Sequence, residues 1–85
     1  MTQFKEVQRG LEGVLDLLDA ELSHSERAEV EHFIEVAEYG IALETLCDIL
    51  REKGKSISSQ TLEKIAHVGT LMNMGPEVWG AIPTR

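Results

Sequence analysis

The chain contains one cysteine, Cys47, which excludes an intrachain disulfide and with it the disulfide-stapled secreted scaffold. No apolar run approaches the ~18 residues needed to cross a bilayer. The opening Met1-Thr2-Gln3-Phe4-Lys5-Glu6 lacks a basic segment followed by an apolar stretch. A reducing cytoplasm is the expected location. Basic residues are scarce, eight against fifteen acids, and the resulting net charge of −7 opposes direct binding to a phosphate backbone. With 85 residues there is no room for a cleft between two domains. Scaling of surface with mass gives one domain that exposes roughly 5,000 Å² and one core. The chain also lacks repeats, low-complexity tracts and alternating hydrophobic runs bounded by hairpin turns.

The negative charge is unevenly placed. Residues 10–50 hold eleven acids and one base, Arg27, a block of −10, whereas the remainder carries seven bases and four acids. The hydrophobic content of 42% with 27% charged residues belongs to a folded globule rather than a disordered acidic tail.

Apolar spacing is helical nearly throughout, and the fold class expected is all-α, a compact four-helix arrangement over 1–85 with short connections. A first helix over about 3–22 places Phe4, Val7, Leu11, Val14, Leu15, Leu18 and Leu22 on one face, with Gly10 and Gly13 weakening its N-terminal half. Ser23 followed by Glu26 has the form of a capping box and begins a second helix over about 24–38, which buries Val30, Phe33, Ile34 and Ala37. Gly40 is the expected turn residue. A third helix over about 41–53 buries Ile41, Ala42, Leu43, Leu46, Ile49 and Leu50 and stops at Gly54. Ser58 caps a fourth helix over about 59–72, burying Leu62, Ile65, Ala66 and Met72. Gly69 lies on the same face, where it would let a neighbouring helix approach closely. Val78, Trp79 and Ile82 either dock a short C-terminal turn onto the bundle or belong to a loose tail.

Catalytic and metal chemistry find little support. Glu29 and His32 have the Glu-x-x-His spacing of di-iron bundles, but the second motif is missing, because Glu63 and His67 are four apart. Cys47 lies mid-helix between Leu46 and Asp48, without the base or helix N-terminus that activates a thiol, and reads as a small apolar residue. No Gly-rich phosphate loop or nucleophile elbow occurs. Small acidic carrier proteins have this size and charge, yet no serine here follows an aspartate to take a phosphopantetheine arm. A helix-turn-helix reader would need a basic recognition helix, and the fourth helix offers only Gln60, Lys64 and Asn73. No catalytic residue, cofactor or metal is expected.

The acids themselves form ridges. Glu31, Glu35 and Glu38 recur at steps of four and three, and Glu44 and Asp48 are four apart on the third helix. Tyr39 between them adds an aromatic ring of the kind favoured in interfaces. Like charges at this spacing weaken a helix by a few tenths of a kcal/mol per pair, a cost better matched to facing a basic protein than to solubility alone. The expected contact residues are therefore Glu31, Glu35, Glu38, Tyr39, Glu44 and Asp48. Glu12, Asp16 and Asp19 on the first helix form an alternative surface.

The segment His32-Phe33-Ile34-Glu35-Val36-Ala37-Glu38-Tyr39-Gly40-Ile41-Ala42-Leu43-Glu44-Thr45-Leu46-Cys47-Asp48-Ile49-Leu50 resembles the core of small bacterial immunity proteins of the MafI type. In these a helix ending in Glu-Tyr/Phe-Gly leads into Ala-Leu-Glu and an apolar helix. The similarity extends through Glu52-Lys53-Gly54 to Leu71-Met72. It implies a non-enzymatic protein whose partner is a cognate toxin domain delivered by sibling cells, with a basic nuclease toxin the natural match for an acidic inhibitor. Without the resemblance, a small helical adaptor or regulator that dimerises through an apolar helix face is the other reading.

Overall fold

The computed structural model describes residues 3–85; Met1 and Thr2, from the opening stretch read for a leader, lie outside it. Helix starts and stops follow local chemistry. In α2 (His24–Glu35) the Ser23 hydroxyl accepts from the Glu26 N–H at 3.1 Å, and the Glu26 carboxylate accepts from the Ser23 N–H at 2.8 Å. Both halves of the capping box are present, so two free donors of the first turn are satisfied. Ser58 caps α4 (Ser59–Leu71) by accepting from the Thr61 N–H at 3.1 Å. Gly54 ends α3 (Tyr39–Lys53) in the left-handed conformation, φ +67°, which costs glycine nothing.

Two helices are shorter than their apolar periodicity suggests. The first, α1 (Gln3–Leu17), stops five residues early, and the chain turns through 18–22 with the Glu21 and Leu22 N–H groups both donating to the Leu18 carbonyl. Leu18 is nonetheless buried, because the turn keeps it over the core. The second, α2, ends at Glu35. There the Glu38 N–H donates to the Phe33 carbonyl at 2.8 Å and the Ala37 N–H to the Ile34 carbonyl at 3.0 Å. These paired bonds make a Schellman motif whose left-handed residue is Ala37, φ +62°. Gly40 is not the turn residue: it lies in the first turn of α3. Asn73, φ +60°, closes α4 by the same pattern, with the Met74 N–H donating to Gly69 and its own N–H to Thr70.

α1 packs chiefly on α4 and α2 on α3. Leu11, Leu15 and Leu18 meet Val30, Ile34, Leu43, Leu46, Leu50, Ile65 and Val68 in one core. The exposed surface of 5064 Å² matches the ~5,000 Å² that a chain of this mass should retain. Several expected core residues are not enclosed. Leu22, Phe33, Leu62, Ala66 and Met72 are half-buried, Ala37 is exposed in its turn, and Phe4 and Ile41 are exposed at the end of the bundle where α1 and α3 begin. No described helix is long and apolar enough to cross a membrane.

The C-terminal segment is docked. A 3-10 turn at Pro76–Val78 leads to Trp79, whose ring lies on Gly69; a Cβ there would stand 2.2 Å from the ring. The neighbour that Gly69 admits is thus an indole and not a helix. Ile82 is buried, Ile57 and Thr84 form a single parallel bridge, and the Ile57 N–H donates to Pro83 at 2.9 Å. Arg51 donates to the carbonyls of Val78 and Gly80 at 2.8 and 2.9 Å.

The two glycines of α1 differ. A Cβ on Gly10 would meet Val68 Cγ2 at 2.5 Å, so close α1–α4 packing requires glycine there. A Cβ on Gly13 would meet no atom within 4 Å. Gly13→Ala is therefore expected to raise stability by about 1 kcal/mol, the helix-propensity difference. A urea titration at low micromolar protein measures this, and an unchanged or lowered midpoint would refute it.

Candidate functional site

The helix ends just described divide the acidic ridges among three places. Glu31 and Glu35 of α2 share a shallow groove of about 290 Å³ with Gln8 and Glu12 of α1, over Ile34. Part of the alternative α1 surface therefore joins the α2 ridge. Glu38 and Tyr39 line a larger recess of about 530 Å³ at the end of the bundle, together with Phe4 and Val7 of α1, Ile41, and Met72 and Met74 beyond α4. The recess takes Phe4 and Val7 from α1 and the groove takes Gln8 and Glu12 from the same helix. Glu44 and Asp48, on the outer side of α3, line neither.

Ion pairs sort these carboxylates further. Arg27 is a hub, reaching Asp16 at 2.8 Å, Asp19 at 3.0 Å and Glu31 at 3.0 Å while donating to the Leu15 carbonyl. Hydrogen bonds to Asp16 and Glu31 push its pKa above the ordinary arginine value. Asp48 pairs with Arg51 at 2.6 Å. Glu26 pairs with Lys53 at 2.9 Å; the Ser23 backbone N–H first, and Lys53 second, hold its carboxyl below the usual range. Glu21 stands 4.0 Å from Arg85. Among the described residues, Glu12, Glu29, Glu35, Glu38 and Glu44 are the acids of the 10–50 block that touch no cation. Three of these line a depression: Glu12 and Glu35 the groove, and Glu38 the recess.

Apolar residues accompany it. Phe4 is 67% exposed, Val36 53% and Ile41 42%, and two of these line the larger recess. The Phe4 and Tyr39 rings lie 6.4 Å apart at 36°, joining the start of α1 to the start of α3. Sequence periodicity placed Phe4 and Ile41 in the core and so missed them as surface. Their position in the first turn of α1 and of α3 was the available signal. An exposed apolar recess with an acidic border has the anatomy of a protein-binding patch, an apolar centre inside a polar rim.

The other candidate groups have different surroundings. Burial pushes the Cys47 thiol up to about 12, with Arg51 opposing only in part, so the group stays protonated at neutral pH. His32 and Glu29 are exposed, and the His32 ring lies 5.7 Å from Phe33. Among the described residues no group of three or more His, Cys, Asp or Glu side chains is arranged to hold a metal ion.

Comparison with known proteins returns no family model, no curated protein and no solved structure that matches this chain.

Proposed function

We propose that this is a stoichiometric binding protein, an immunity protein that neutralises a bacterial toxin domain by covering a basic surface of it. The observation that carries the reading is the apolar recess at Phe4, Tyr39 and Ile41, which Glu38 lines, with Glu35 in the separate α1–α2 groove; neither carboxylate meets a cation among the described residues. An apolar anchor from the partner fills the recess, and flanking Lys or Arg side chains meet the carboxylates. Glu31, Glu44 and Asp48 add to the negative field that steers encounter, though Glu31 and Asp48 each share a cation of this chain. The resemblance of residues 32–50 to MafI-type proteins supports the same reading. A nuclease toxin is the partner class best suited to it, because carboxylates would take the place of substrate phosphates.

The test is co-expression with the toxin encoded by the reading frame directly upstream. Growth should be restored and the two proteins should co-purify one to one. Toxicity that persists despite abundant folded protein rejects the reading, and co-purification with a non-toxic partner favours the adaptor.

A further inference from the structure

A third depression, on another side of α1, has different chemistry. It lies between α1 and α4, encloses about 520 Å³, and has Gly10, Gly13 and Val68 as its floor. Leu17 lines it while 49% exposed. Its border carries both signs of charge, Arg9 and Lys64 with Glu63. None of these three makes an ion pair among the described residues, although Arg27, Arg51, Lys53 and Arg85 all face acids. Gly13 keeps the floor open with no packing reason inside one chain, since a side chain there would meet nothing within 4 Å.

Symmetry decides what fits. A two-fold interface joins a patch to itself, so within that patch a projection needs a hollow and any charge needs its opposite. The α1–α4 depression meets each condition: Leu17 projects, Gly13 leaves the hollow, and Glu63 lies beside Arg9 and Lys64. The recess at the end of the bundle does not, because among the described residues Glu38 is its one charged lining residue and would face itself. Arg9 and Leu17 lie four residues either side of Gly13, on the same face of α1. A two-fold axis over Gly13 therefore sets each Leu17 at the Arg9 end of the opposite hollow.

We infer that a second copy of this chain docks in the α1–α4 depression. Leu17 of each copy packs beside Gly13 at the Arg9 end of the other's hollow, and Glu63 of one copy meets Lys64 of the other across the interface. The acidic recess is left free on both copies.

Sedimentation equilibrium on the intact chain tests this at hundreds of micromolar. The wild type should approach twice its 9.5 kDa mass. Gly13→Leu, which fills the hollow, and Leu17→Lys, which sets a cation against Arg9 and Lys64, should each weaken dimerisation by at least about tenfold. Lys64→Glu should weaken it comparably, and adding Glu63→Lys should return it to within about threefold of the wild type by restoring opposite signs. The substituted positions make no intrachain ion pair, and helical circular dichroism verifies that each variant is folded. A wild type that keeps the mass of one chain throughout the range overturns the proposal. So does a dimer indifferent to both Gly13→Leu and Leu17→Lys.

Discussion

Reversal of Glu35 and Glu38 to lysine is expected to weaken binding of the proposed toxin by about 30- to 100-fold, equivalent to about 2–3 kcal/mol. Each reversal removes one attraction and installs one repulsion, Glu38 at the recess and Glu35 in the α1–α2 groove. Neither carboxylate meets a cation among the described residues, so the change should leave the fold intact. Reversing Asp48 is a poorer probe, because it would also break the 2.6 Å pair with Arg51 and disturb the anchor of the C-terminal segment. Glu44→Lys, away from both depressions, should act mainly on the association rate and fade with added salt. Titration calorimetry and stopped-flow binding separate these effects. Unchanged affinity in the folded double variant would move the interface off this face, whether or not the protein protects cells.

Trp79→Ala is expected to cost about 3 kcal/mol, a large part of the 5–15 kcal/mol by which a domain stands above its unfolded state. The indole covers Gly69, and its loss uncovers α4 and loosens the segment that carries Ile82 and the Ile57–Thr84 bridge. The estimate lies at the low end for tryptophan because the side chain is half-buried. Gly69→Ala alone should also destabilise, since its Cβ would stand 2.2 Å from the ring. In the Trp79→Ala background that clash disappears and alanine's helix propensity returns about 1 kcal/mol. A double-mutant cycle in urea should therefore show opposite signs for the same substitution. A Trp79→Ala cost below about 1 kcal/mol would mean that the segment contributes little to the fold.

The recess at the end of the bundle and the α1–α4 depression differ in chemistry. Among the described residues the first has only carboxylate charge, as the proposed basic partner requires; the second has both signs, as the proposed self-association requires. Solubility alone explains neither the exposure of Phe4 beside Tyr39 nor a helix glycine over empty space. Both cost stability in the isolated chain, through unburied apolar area in the first case and lost helix propensity in the second.

The elements legible in the amino-acid order were those set by short-range chemistry. The Ser23–Glu26 and Ser58–Thr61 caps each close across three residues, and Gly54 answers to its own backbone angle. The 3.6-residue period likewise puts Leu11, Leu15, Leu43 and Leu50 inside whatever the partner helices are. Tertiary structure decided the rest, because it depends on groups far apart in the chain. Arg51 reaches Val78 across 27 residues, and Arg27 collects Asp16 from eleven residues away, which determines where charge is left unbalanced. Periodicity marks an apolar face but not where the covering helix stops, so Phe4 and Ile41 read as core and emerge as surface. Gly69 similarly announced a close approach without naming the tryptophan that makes it. The sequence by itself determined an acidic four-helix chain, because local hydrogen bonds and one repeating period suffice for that. Only the packing of distant segments decided which acids are free and which apolar groups lie beside them, and the candidate site consists of both.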